Sequence, residues 1–437
     1  MATIDIAAVQ NNLKIVYADM LEVLGYTDRP FFGMVPKTLK FEGKNYTYAV
    51  QNANGQGRSA NFVKAGTNSG ANTYNDFVIL RRRNYGRFAL EGEVLAASTG
   101  KGAFLDEITA TINGAIENFS NDVAGNLFRS GSGSRGVVAS FPTPNTLQLV
   151  SPTDACMFDV NMELQASATD GGGVVLAGTA TITGIDREAG ILTTDGAGWV
   201  AQIPALVAGN FLFTDGDYDL KIQGLKDWIP ASTAGLATPF NGVVRSTDPT
   251  RLAGQRFVGG GAPIEETINN AVGSAMQQGA LKFDTLFMSP VDMQTLVNAL
   301  TNRIREPRVA TGKAVGSKGY VADIGYEGVM ITTPMGKTIK VFADPWCPQG
   351  TGYLLTLSSW ELRSTAKVPD FLDFDKVGQI LRVSDEDAYE GRIGCYANLL
   401  CRRPFDNMVI TWLRARKRSS PTSSSRRRAG RRSTPST

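Results

Sequence analysis

Histidine does not occur once in 437 residues, and cysteine occurs only four times, at Cys156, Cys347, Cys395 and Cys401. The first absence removes the general base of Ser-His-Asp and Cys-His nucleophilic sites. With no C-x-x-C pair either, a structural zinc site is not expected, because such sites combine Cys and His at short spacings. Cys395 and Cys401 read as small buried side chains on strands. No G-x-x-x-x-G-K-[ST] run occurs, so the phosphate cradle of P-loop enzymes is missing. These absences leave no enzyme and no cofactor as the expectation. Charged residues make up only 19%, yet no run of about 18 apolar residues appears. The chain does not open with a basic-then-apolar leader, so synthesis in a cytoplasm with reduced thiols and no membrane partner is expected.

What is abundant is glycine, 47 residues, which favours turns and β-structure over a helical bundle. The length predicts roughly two to four domains. The net charge of +3 hides a split: no acid follows Asp406, and Arg414–Thr437 holds nine Lys and Arg, including Arg426, Arg427, Arg428, Arg431 and Arg432. The remaining 413 residues therefore carry −6. The tail is Ser/Arg-rich without apolar period and is expected to be disordered. Its arginines are candidates for weak, salt-sensitive nucleic-acid contact, since bound phosphates release counterions. An acidic partner or a purely solubilising role are the competing readings.

Residues 41–90 predict a hairpin that cannot bury itself. FEGKNYTYAV (41–50) is one arm and FVILRRRNYGRFAL (77–90) the other, with 26 polar residues between them holding four Gly and six Asn. Structureless connections longer than about 15 residues are uncommon inside compact domains. Isolated two-stranded hairpins are marginal, and their edges invite pairing with another chain. Arg81, Arg82, Arg83 and Arg87 lie on the returning arm, with Arg81 and Arg83 on one face and Arg82 on the other. We read these four, and Lys64 in the connection, as candidate contacts to an acidic neighbouring subunit. The alternative is that they serve solubility and edge protection.

Two helices are expected before the middle of the chain. Val9, Leu13, Val16, Tyr17, Met20 and Leu24 share one face of the first, which ends at Gly25. Phe104, Ile108, Ile112, Ile116, Phe119, Val123 and Leu127 form a single stripe on the second, a spine roughly 37 Å long. Residues 144–218 read as short strands, Thr146–Val150, Met157–Gln165, Val174–Ile185, Ile191–Thr194 and Phe211–Thr214, making a small inserted β-barrel. Helices over Ile264–Gln278 and Pro290–Leu300 then alternate with strands up to Met408–Trp412. Two motifs lead nowhere. Gly131-Ser-Gly133-Ser-Arg-Gly136 matches G-x-G-x-x-G but follows a helix, and so reads as a flexible exit from the spine. Asp215-x-Asp217-x-Asp219 lacks the Gly and Glu of a calcium loop. Asp385-Glu386-Asp387 reads as a solvated turn.

The order of parts resembles the major capsid proteins of tailed bacteriophages with the HK97-type fold. FDTLFMSPVDMQTLVNAL (283–300), MGKTIKVFADPWCPQGTGYLLTLSSWELR (335–363) and YEGRIGCYANLLCRRPFDNMVI (389–410) look like family elements. The resemblance implies an α+β capsid fold divided as follows: an N-terminal arm 1–40, an E-loop hairpin 41–92, a P-domain with spine helix 93–143, an inserted barrel 144–219, an A-domain 220–355, P-domain C-terminal strands 356–412, and the basic tail 413–437. It further implies self-assembly into hexamers and pentamers of an icosahedral shell enclosing double-stranded DNA, in a virion built in a bacterial host cytoplasm. The implied partners are a separate scaffolding protein, a portal and a decoration protein, and the barrel resembles insertion domains that some members carry on the capsid exterior. Some members cross-link Lys to Asn, but nothing marks Lys64 as reactive. Competing readings are an encapsulin-like nanocompartment and a surface- or carbohydrate-binding β-domain protein.

Overall fold

The computed structural model describes residues 29–91, 101–280, 282–303, 328–332, 336, 338–372, 380–383 and 387–412. The amphipathic stretch 9–24, the basic tail and the acids at 385 and 386 lie outside the described residues. Pro30 at the first helical position opens α1 (Pro30–Met34), whose Phe31 and Phe32 are buried. Strand β1 (Lys37–Thr38) precedes β2 (Asn45–Ala53), helix α2 (Phe62–Thr67), β3 (Thr73–Leu80) and β4 (Arg82–Glu91). The long helix α3 (Lys101–Phe128) follows, and after it β5 (Gly136–Thr143), β6 (Thr146–Leu149), β7 (Glu163–Ser167), β8 (Ala180–Asp186), β9 (Ile191–Thr194) and β10 (Phe211–Thr214). The C-terminal half gives β11 (Gln255–Val258), α4 (Ile264–Gln277), β12 (Thr285–Met288), α5 (Pro290–Arg303), β13 (Gly328–Thr332), β14 (Thr338–Ala343) and β15 (Thr351–Leu355). It ends with β16 (Trp360–Ser364), β17 (Asp370–Phe371), β18 (Ile380–Arg382), β19 (Ala388–Cys401) and β20 (Met408–Thr411).

The described strands form four β-units. A central sheet runs β1-β16-β19-β17, with β4 and β18 also pairing to the 14-residue β19. A second sheet runs β11-β20-β15-β12-β14-β13, the barrel closes as β10-β5-β6-β9-β8-β7, and β2 pairs with β3 alone. Five of the predicted spine residues, Ile112, Ile116, Phe119, Val123 and Leu127, are buried, in one core with Ile393, Ala397 and Leu399 of β19; the side chains of Phe104 and Ile108 lie outside the described residues. Burial of each such side chain is worth about 1.5–3 kcal/mol. Phe88 on β4 lies across from Gly391, where a Cβ would collide with its ring. Helix α4 buries Ile268, Ala271, Val272 and Ala275 in a second core with strands of the second sheet, and the barrel has a third core around Leu164, Ile182, Leu192 and Trp199.

The structure departs from the sequence reading in four places. First, the returning arm 77–90 is two strands. Phe77 and Ile79 face inward, but so do Asn84 and Phe88, so the buried parity slips by one residue between them. A single strand cannot present both sets to one core, because a one-residue shift exchanges the faces. The chain breaks at Arg81, and β4 leaves the hairpin to pair antiparallel with β19. The hairpin therefore spans Asn45–Leu80, less than the predicted 41–92. Second, its connection is shorter than 26 residues and contains α2, capped by Asn61, whose side chain accepts from the N–H groups of Val63 and Lys64. Third, the barrel starts at Gly136, ahead of the predicted 144. The strands expected over Met157–Gln165 and Val174–Ile185 begin only at Glu163 and Ala180, after a 3₁₀ turn and a glycine-rich loop. Fourth, β20, grouped in the sequence with the other strands of 356–412, lies between β11 and β15 in the second sheet and not with β16–β19.

Candidate assembly interface

The arm β2–β3 is rooted firmly. Phe77 and Ile79 are buried, and Phe77 stacks on Tyr48 at 5.6 Å and packs on Trp228 at 5.5 Å. The Tyr48 hydroxyl donates to the Cys401 carbonyl (2.7 Å), and the Arg363 guanidinium sits 3.7 Å over the Tyr46 ring. Arg251 donates to the Asn52 carbonyl at 2.5 Å, and the Val78 N–H donates to the Asn241 carbonyl at 2.8 Å, covering one edge near the root. The tip is the opposite. No residue of α2 is buried, Phe62 is 93% exposed and Val63 74%. Its order comes from local bonds such as Gly55 N–H to Asn72 Oδ1 (2.9 Å). A fixed root and a capped helix that offers two bare apolar side chains suit docking on another surface.

A buried ionic hub holds the arm's continuation, the spine and the barrel together. Lys221 Nζ donates to Asn84 Oδ1 on β4 at 2.7 Å and to Asp122 Oδ2 on α3 at 2.9 Å, and lies 3.0 Å from Asp217 Oδ2. The ammonium thus donates two hydrogen bonds and makes a third, ionic contact. Arg135, at the foot of β5, pairs with Asp122 and donates to Thr214 Oγ1 (2.5 Å) and the Met157 carbonyl (2.9 Å). Burial alone would push the Asp122 carboxyl up; Arg135, Lys221 and the Asn84 amide hold it well below the usual carboxylate range. Burial pushes Asp217 up despite Lys221. The glycine-serine run 131–136 is therefore a buried joint and not a flexible exit: Gly131 N–H donates to Asp227 Oδ2 at 2.6 Å, and Ser130 and Ser132 both donate to Asp170. Asp217 and Asp219 are likewise absorbed, Asp219 accepting from Gly172 N–H. No grouping of three or more metal-ligating side chains occurs among the described residues.

The predicted contact residues fall apart into different roles. Lys64 is exposed on α2. Arg81, in the break between strands, lies with its guanidinium 5.9 Å over the Phe41 ring. Arg82 turns inward and donates to the Asp219 carbonyl at 2.8 Å. Arg83 and Arg87 face outward, Arg87 pairing with Glu390 at 2.7 Å. Arg426, Arg427, Arg428, Arg431 and Arg432 lie outside the described residues. All four cysteines are free, with Cys395 and Cys401 buried on β19. Sequence reasoning missed the hub entirely. Among the described residues no helix is long and apolar enough to cross a membrane.

Residues 205–411 match the family model of the SU10 major capsid protein. Among solved structures, the capsid asymmetric unit of cyanophage A-1(L) is similar over 88% of this chain and 93% of its own, at 13% identity and a TM-score of 0.52. The Mycobacterium phage Ogopogo structure matches over 89% and 93%, with 9% identity and a TM-score of 0.40. The holo-SrpI encapsulin complex of Synechococcus elongatus PCC 7942 matches over 86% and 84%, with 9% identity and a TM-score of 0.44. No curated protein matches the chain. The matched segment, 207 of 437 residues, resembles the SU10 major capsid protein family, and the likeness to the cyanophage subunit shows a shared HK97-like fold.

Proposed function

We propose that the chain is the repeating subunit of an icosahedral shell of hexamers and pentamers that encloses double-stranded DNA, assembled in a bacterial cytoplasm. In this reading β2–β3 with α2 is the E-loop, α3 with the central sheet is the P-domain, the second sheet with α4 and α5 is the A-domain, and the barrel is an insertion. Residues 1–40 would form the N-terminal arm. The observation that carries the reading is the arm itself, fixed by Tyr48 and Phe77 at its root while Phe62 stands 93% exposed at its tip. Lys64 and Arg81 belong with that tip and its base as contacts to a neighbouring subunit. A separate scaffolding protein, a portal and a decoration protein complete the partners. The tail arginines Arg426, Arg427, Arg428, Arg431 and Arg432 add weak, salt-sensitive DNA affinity.

Deleting Asn54–Asn72 tests the reading. The deletion spares the described root contacts, so the variant should still melt cooperatively, losing only the small helical signal of α2, and should no longer form stable shells. Normal shells from the deleted protein would refute the intersubunit role of the arm.

A further inference from the structure

The central sheet has two unlike faces. One packs on α3 and, through Asn84 and Arg82 of β4, meets the hub and the turn at Asp219. By strand alternation Arg83, Tyr85 and Arg87 point the other way. On β19 the residues opposite them are Tyr396, Gly394 and Arg392. The result is an exposed patch in which Arg83 faces Tyr396 and Arg87 faces Arg392 directly across the ladder. Tyr85 is 57% exposed, and its hydroxyl lies 3.4 Å from that of Tyr396. Two like charges directly opposed on a strand pair destabilise unless an anion joins them. Glu390, beneath, takes Arg87 Nε at 2.7 Å and Arg392 Nε at 2.7 Å. With Asp370, which lies opposite Gly394 on the same face, it balances two of the three arginines, leaving +1 over the described side chains and outward N–H donors on side chains 63% and 56% exposed at Arg87 and Arg392.

We propose that this Arg–Tyr face binds the phosphodiester backbone of double-stranded DNA. Arg83 and Arg87 are separated by about 13 Å along the strand, a span that several successive phosphates fill, and the tyrosine hydroxyls add donors between them. Basic side chains interleaved with aromatics on one face are the electrostatic footprint of such a surface. Protein carboxylates fit less well. The arm segment 51–76, which would reach a neighbour, has Asp76 as its only acid and contributes Arg58 and Lys64. The acidic part of the chain is the barrel: residues 136–220 hold ten Asp and Glu against Arg187 alone. It joins the sheet on the side of Asn84, away from the patch. The subunit is thus polar, with a basic face for the nucleic acid and an acidic insertion on the other side of the sheet. This inference rests on the reading of the chain as a shell around DNA.

The test uses unassembled full-length subunits and the same chain ending at Trp412, each titrated with a fluorescent DNA duplex over a salt series. Each lost phosphate contact should reduce the slope of log K against log salt by about 0.9. Arg83→Gln, which leaves the Glu390 pairs intact, should reduce it by about one such step. The triple variant Arg83→Gln, Arg87→Gln, Arg392→Gln should reduce it by up to about three steps, in the tail-less chain as well as in the full one. An unchanged slope in the tail-less background would overturn the proposal. So would a triple variant that melts like the parent but no longer forms shells, because the arginines would then be contacts between copies. Failure of the parent protein to form shells would refute the shell reading without touching the slope measurement.

Discussion

Replacing Lys221 by Met probes whether the spine, β4 and the barrel are held as one body. The substitution keeps the aliphatic length and removes the ammonium. Asn84 Oδ1, Asp122 Oδ2 and Asp217 Oδ2 each lose a partner at 2.7–3.0 Å. Asp122 keeps Arg135, but Asp217 is left with the same guanidinium at 3.8 Å. These side chains are at most 20% exposed, so water cannot replace the lost donor freely. Breaking a buried pair by removing one partner costs about 3–5 kcal/mol. Urea unfolding followed by tryptophan emission reads the loss in both bodies, through Trp199 in the barrel core and Trp228 and Trp360 in the main core. A double-mutant cycle of Lys221→Met with Asp122→Asn should give a coupling of about 1–3 kcal/mol. A loss below about 1 kcal/mol, or additive effects, would mean that the hub is a solvated crossing with little hold on either body.

Four further outcomes follow from the same structure. Phe119→Ala on α3 should cost about 3–5 kcal/mol in denaturant melts, because its ring is in the core against Gly86 and Ile393. Phe62→Ser with Val63→Ser should leave the melt unchanged and depress shell yield in sedimentation, since neither side chain is buried. Burial pushes the carboxyls of Asp227 and Asp344 up to about 6. The folded state therefore holds protons that the unfolded chain gives up, and the thermal midpoint should rise as pH falls from about 7 toward about 4.5; a midpoint that falls steadily over that range would contradict the burial argument. The barrel expressed alone over 136–220 should melt cooperatively around its own core; a random-coil amide spectrum would show that it depends on the hub.

How much of this the sequence carries depends on the range of the interaction. The spine was legible because its stripe is local, each apolar residue three or four positions from the next, and tertiary packing agrees with it. Strands such as Thr285–Met288 were legible because they are short apolar runs buried on both sides. The break at Arg81 was written in the parity of Phe77, Ile79, Asn84 and Phe88, but an unbroken β-prone run masks a phase slip. The first barrel strand was hidden by the Gly-Ser run before it, whose composition suggests mobility and whose burial depends on distant acids. The hub was illegible in principle: Lys221 meets residues 137 and 99 positions away, and no local period marks them. Arg82 and Arg87 illustrate the same limit, since alternation gives their faces but not their in-chain partners.

The central claim is that copies of this chain close into a shell, and electron microscopy of the purified full-length protein tests it most directly. The account predicts closed icosahedral particles built of hexamers and pentamers, with density for α2 lying on a neighbouring subunit. A monodisperse monomer, or particles in which α2 touches no other copy, would contradict it.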